Sequence, residues 1–270
     1  MNVRQPAVAG SFYPNDAQQL SAAITRYLMD VAPGDSQANA YILPHAGYMY
    51  SGPVAATGYA RMGKLGKTVG RVVLMGPAHR VPVSGLAASG ADRWQTPLGE
   101  VPVNRAASDE LLQLPFVSVD DAAHEPEHCL EVHLPFLQGV LKDAGSPAGG
   151  QKWSLVPLLA AETTAQQVCE VIERLWNPPE TLIIVSSDLS HFLDYESAKK
   201  LDAQTARAIE TLRPDDIRFE QACGGILIKG LLKFAAKRKL RPKTLDLRNS
   251  GDTAGSRDRV VGYGAFAFEG

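Results

Sequence analysis

Four short apolar runs stand out along the chain, at 40–43, 72–75, 155–159 and 182–185. Each is only four or five residues long, rich in Val, Ile and Leu, and does not alternate with polar positions. That is the pattern of strands buried on both faces of a parallel sheet. Between and after them lie segments with helical periodicity, at 16–31, 51–62, 106–114, 134–142, 164–176, 195–212 and 226–239. Asn15 or Asp16 can cap the first helix, and Pro135 sits where a first helical turn tolerates proline. Two further strands are expected at 244–247 and 260–268. Alternation of strand and helix predicts an α/β fold with helices covering both faces of a mostly parallel sheet. The run Gly145-Ser146-Pro147-Ala148-Gly149-Gly150 reads as a surface loop, and nothing after it looks like the start of a second unit. A single domain over 1–270 is therefore expected.

Composition narrows the function classes. The chain has 270 residues, 45% hydrophobic and 21% charged, with a formal net charge of −2. A nucleic-acid binder would normally carry a basic stripe, so that class is excluded. Lys and Arg do gather over 233–243, but there they read as a solvated helix end, where cations favour the helix dipole. Three cysteines do not make a disulfide framework and suit a reducing compartment. The N-terminus lacks a basic segment followed by an apolar one, and no apolar run approaches the ~20 residues that span a bilayer. A cytoplasmic protein that engages no membrane is expected.

The histidines change the picture most. Run 40–43 leads into Pro44-His45-Ala46-Gly47-Tyr48, run 72–75 into Gly76-Pro77-Ala78-His79, and run 182–185 into Ser186-Ser187-Asp188-Leu189-Ser190-His191. Three of the six histidines thus lie just beyond the carboxyl end of a buried strand. That is the edge where open α/β sheets bind ligands. One such histidine usually hydrogen-bonds locally, but three in equivalent places point to a shared site, and imidazole is the commonest metal ligand. Cys223, in Gln221-Ala222-Cys223-Gly224-Gly225 before a helix, is the next candidate. A thiol at a helix N-terminus is expected to have a lowered pKa, and the thiolate binds metal. Cys169 reads as packing. The cluster Glu127-His128-Cys129-Leu130-Glu131-Val132-His133 suits either a proton relay or a hydrogen-bonded structural role, while His124 reads as solvated.

Taken together, these motifs resemble one family, the Memo-like proteins, called AmmeMemoRadiSam system protein B in prokaryotes and related to the class III extradiol ring-cleavage dioxygenases. The resemblance also rests on Arg4-Gln5-Pro6-Ala7-Val8-Ala9-Gly10-Ser11-Phe12-Tyr13-Pro14 and Val261-Gly262-Tyr263-Gly264-Ala265-Phe266, and it spans nearly the whole chain. It implies one domain like the dioxygenase catalytic subunit, with a mostly parallel or mixed central sheet. It implies a metal held by His45, His79 and Cys223, with His191 as acid/base and Asp188 and His133 orienting it or the substrate. Departures are Ala78, where a serine is common, and Cys129, in place of a small hydroxyl residue.

The function expected on this basis is that of a non-haem iron oxidoreductase using Fe(II), with zinc or copper as other metals suited to the same ligands. A thiolate in place of a carboxylate argues against simple catechol cleavage. The alternatives are a zinc hydrolase or lyase, and a non-enzymatic protein whose metal cleft binds a peptide or small molecule. The prokaryotic family name implies association with radical-SAM and AMMECR-type partner proteins.

Overall fold

The computed structural model describes residues 2–32, 38–63, 65, 68–141 and 152–270. Its strands are β1 (Val3–Arg4), β2 (Ala40–Leu43), β3 (Arg71–Pro77), β4 (Leu86–Ala88), β5 (Arg93–Thr96), β6 (Gly99–Pro102), β7 (Val117–Val119), β8 (Ser154–Ala160), β9 (Thr181–Ser186), β10 (His191–Leu193), β11 (Arg241–Asn249) and β12 (Val260–Glu269). Its helices are α1 (Ala17–Met29), α2 (Tyr48–Tyr59), α3 (Arg105–Leu111), α4 (Asp121–His124), α5 (Leu134–Val140), α6 (Ala165–Leu175), α7 (Tyr195–Glu210) and α8 (Gly225–Arg238).

The four apolar runs form the middle of the sheet. β2, β9, β3 and β8 lie side by side in that order, all parallel. β12 extends the sheet antiparallel to β2, and β4 extends it antiparallel to β8. The sheet is therefore mixed, with a parallel centre and antiparallel flanks. Side chains alternate between two cores. Tyr41, Leu43, Val72, Leu74, Leu182 and Ile184 join Leu20, Ile24, Val54 and Phe136 of α1, α2 and α5 on one face. Ala40, Ile42, Val73, Met75, Ile183 and Val185 join Leu111, Val168, Ile172, Ile209 and Leu231 of α3, α6, α7 and α8 on the other. Burial on both faces explains why these strands read as unbroken apolar runs.

All seven expected helices are present. Asp16 caps α1 through its side chain, which accepts the Gln19 N–H at 2.8 Å, and Pro135 lies in the first turn of α5. Loop 145–150 lies outside the described residues, as does the last expected position of the α5 segment. The strands missed by periodicity, β1, β4 to β7 and β10, are two to four residues long, too short to show a period. β1, β5 and β6 make a separate three-stranded sheet that ties down the N-terminal segment. The basic run ends α8 and opens β11, and Lys237 pairs there with Glu173 at 2.9 Å. Cys169 is fully buried in the second core, as packing requires.

No helix among the described residues is long and apolar enough to cross a membrane.

Candidate metal centre

The strand order β2–β9–β3 decides the site. It brings the loop after β2, carrying His45, and the loop after β3, carrying His79, to either side of the Ser186 end of β9. A third imidazole, His128, arrives from the segment between α4 and α5. The ligand atoms of His45, His79 and His128 all lie within 4.8 Å of one another. Ring centroids are 5.0 to 5.5 Å apart, with His79 and His128 stacked. His45 is buried, His128 half-buried and His79 exposed, so the group is open on one side.

Two of the three rings, His45 and His79, are held through Nδ1. Ser186 Oγ donates its single proton to the Cys129 carbonyl at 2.7 Å. It must therefore accept from both imidazole nitrogens that reach it, His45 Nδ1 at 2.7 Å and His133 Nε2 at 2.8 Å. That assigns His45 the Nδ1–H tautomer and leaves its Nε2 as an acceptor facing the Cys223 thiol at 3.4 Å. His133 Nδ1 then accepts from the Tyr59 hydroxyl at 2.5 Å. The same logic runs through Glu127. Its carboxylate accepts from His79 Nδ1 at 3.0 Å and from the backbone N–H groups of His79, His128 and Cys129 at 2.6, 2.9 and 3.1 Å. His128 Nδ1 lies 3.0 Å from the same oxygen, at an angle too poor for a hydrogen bond. A carboxylate behind a ligating imidazole fixes its tautomer and raises its basicity.

Protonation states follow from burial. Burial holds His45 well below the usual histidine range, helped by the neighbouring His79, His128 and His133. Burial also pushes His133 down to about 3. Both are neutral at pH 7. Burial alone would raise Glu127, but the adjoining His128 and His79 outweigh it and keep the carboxylate ionised.

Cys223 lies just before α8, as expected, with Sγ 3.4 Å from His45 Nε2 and accepting the Asp188 N–H at 3.3 Å. The expected drop in its pKa does not occur. Burial and the Asp188 carboxylate push the thiol up to about 12, because desolvation outweighs the backbone N–H groups around it. Its neighbour Gly224 is a glycine for packing. A Cβ there would lie 2.8 Å from the Ser186 carbonyl oxygen and the Ser187 Cβ. Gly76 has a like role, since a Cβ would come within 2.5 Å of Cys129 Sγ. Cys129 itself is buried and donates to the Pro77 carbonyl at 3.1 Å.

The remaining expected residues fall around this group. Asp188 Oδ1 accepts the His45 backbone N–H at 2.8 Å, and burial raises its pKa. His133 contacts Ser186 and Tyr59. His191 begins β10, half-buried, paired to β12 and next to the exposed Phe192, and it is not part of the three-imidazole group. His124 corrects the sequence reading. It is buried at the end of α4, its Nε2 lies 3.0 Å from the Ala87 carbonyl, and burial pushes its pKa down to about 4. The charged residues around it in sequence face outward while its ring packs on Trp94. His128 was not singled out from its cluster. The adjacent Glu127, an acidic residue beside a histidine, was the available signal.

A family model described as Memo-like protein matches residues 4–267. This chain belongs to the Memo-like family. A MEMO1 family protein of Aeropyrum pernix is 36% identical over 98% of this chain and 99% of its own length. Those of Aquifex aeolicus and Methanosarcina mazei are 31% and 33% identical, covering 97% and 100% of this chain and 98% and 100% of their own lengths. This chain thus carries two overlapping groups that could hold a divalent metal, His45–His79–His128 and His79–Glu127–Cys129.

Proposed function

We propose that this Memo-like protein binds one divalent first-row metal ion, Fe(II) in its working form, and acts as a metal-dependent redox protein. One observation carries the reading: three imidazoles converge with their outer nitrogens tied to Ser186 or directed at Glu127, beside a thiol 3.4 Å from His45 Nε2. A neutral imidazole with a fixed tautomer is the form that ligates metal. The residues therefore fit the group. His45, His79 and His128 would hold the ion, with Cys223 as a fourth donor once the cation draws off its proton.

Bound there, Fe(II) would supply one-electron chemistry. The chain's own residues do the rest. Ser186, His133 and Tyr59 hold His45, Glu127 holds His79 and lies against His128, and Asp188 fixes the backbone of His45. His191, outside the group and half-buried, moves protons to or from a ligand. Because a thiol beside activated oxygen is itself oxidised, the role is a slow redox step rather than rapid ring cleavage of catechols. A place in a radical-SAM-associated modification pathway in the cytoplasm, beside an AMMECR-type protein, belongs to the same proposal and rests on the family resemblance. Zinc on the same nitrogen and sulfur donors would supply hydrolytic chemistry instead.

The test is anaerobic purification followed by metal quantification and an electronic spectrum. About one equivalent of iron is expected, lost in His45→Ala, His79→Ala and His128→Ala and retained in His191→Ala. Full occupancy in all three of the first variants would overturn the assignment, and zinc retained in preference to iron would overturn the redox role.

A further inference from the structure

A cavity of about 560 Å³ opens directly beside the imidazole group, lined on its inner side by His79 and Cys223. The volume is that of a pocket for a small organic ligand. Its walls are mostly apolar, with Ala160, Ala222 and Ile226 among them and the almost fully exposed ring of Phe219 at its rim. Among the described residues, two cations also line it, Arg218 and Lys229, and no Asp or Glu does. Among the described residues neither cation makes an ion pair with a carboxylate. Their placement follows from the chain. Gly225, Ile226 and Lys229 occupy one face of the first turns of α8, at spacings of one, three and four residues. Arg218 lies just before the short 3-10 turn Phe219–Gln221 that leads into Cys223.

We propose that this cavity takes a small organic anion: an apolar, ring-sized body against Ile226 and the alanines, and a carboxylate or comparable group between Arg218 and Lys229. The inference deepens the metal-centre reading by naming the class of ligand presented to it, and it rests on that reading for the ligand's fate but not for its binding. Two cations without carboxylate partners attract an anion into a cleft whose apolar walls would gain nothing from a neutral polar molecule. The guanidinium fork of Arg218 matches a carboxylate in particular. The apolar walls in turn exclude small hydrated inorganic anions from competing well.

The test is calorimetric titration of the full-length protein, metal-free and metal-loaded, with benzoate and with its neutral analogue benzamide. Benzoate is expected to bind both forms and to bind at least roughly tenfold tighter than benzamide. The double variant Arg218→Ala/Lys229→Ala should lose that preference while keeping the weak benzamide binding. Arg26→Ala removes a positive charge from α1, outside this cavity, and should change nothing, which separates a local effect from net charge. Equal affinity for the two probes, or benzoate affinity unchanged in the double variant, overturns the proposal. So does benzoate binding that appears only with metal and ignores both cations, because the ion alone then holds it. Benzoate binding that depends on the two cations in a protein that retains no metal would leave this inference standing while the metal reading fell.

Discussion

Glu127 and Glu131 are buried carboxylates four positions apart in the sequence, at 1% and 0% exposure, yet they hold different partners. Glu131 forms an ion pair with Arg4 and accepts from the Ala7 and Val8 backbone N–H groups at 2.7 and 3.0 Å and from the Tyr13 hydroxyl at 2.5 Å. Its partners all belong to the N-terminal segment, and one is a permanent cation. Among the described residues, no Lys or Arg pairs with the Glu127 carboxylate. It faces imidazoles and the backbone amides beside them. The difference is between a charge neutralised within the fold and a charge that the proposed metal site would meet with a cation only on binding. The two are joined, because the clamp at Glu131 seats Phe12 against His128, with ring centroids 4.8 Å apart.

The sharpest way to break this comparison is at Glu131. Glu131→Ala leaves Arg4 buried without its partner, and removing one member of a buried pair costs about 3–5 kcal/mol. Chemical denaturation should register that loss in metal-free protein. Stability within about 1 kcal/mol of wild type would make the two carboxylates equivalent and the clamp unimportant.

Glu127→Gln should act on the site instead. The amide keeps an acceptor for the backbone N–H groups but removes the charge behind His79 and His128. Metal affinity is expected to fall by roughly 10- to 100-fold, the usual cost of disturbing such a partner. Competition with a chelator of known affinity measures it, and a stability loss as large as that of Glu131→Ala, with affinity intact, would reverse the two roles.

Asp202, on α7, sharpens the comparison as a buried carboxyl with neither kind of partner. It accepts the Ser190 N–H at 3.0 Å, and burial raises its pKa to about 6 from 3.8. Between about pH 4 and pH 6 the folded protein holds a proton there that the unfolded chain has lost, so this group costs stability as pH rises through that window. Asp202→Asn should therefore stabilise the protein by up to about 3 kcal/mol at pH 7 and by little at pH 4. Denaturation at both pH values checks it, and a gap that does not grow with pH would put the carboxyl in a polar setting.

The smallest effect is expected at Ser186. Ser186→Ala removes the acceptor shared by His45 and His133, at a cost of about 1–3 kcal/mol in stability. His45 is then free to take either tautomer, and metal affinity should fall by no more than roughly tenfold, less than at Glu127. A larger loss than at Glu127, by the same chelator assay, would make the neutral relay the more important support.

The sequence by itself determined the parallel centre of the sheet, the seven helices and the strand-end placing of His45 and His79. Burial on both faces and helical period are local patterns, and a loop after a parallel strand can emerge only at one edge. Tertiary structure decided which histidines meet. His191 lies five residues past the end of β9, where His79 lies two past the end of β3, and it opens β10, which pairs with β12. His128 belongs to no strand end and arrives only because Gly76 lets the Cys129 segment pack against β3. The pKa of Cys223 was misjudged for a related reason. Its position before α8 is a sequence fact, but its burial and the Asp188 carboxylate beside it are set by the fold, which also brings it 3.4 Å from His45. Proximity between distant segments is set by strand order and burial, and neither is written in the spacing of residues along the chain.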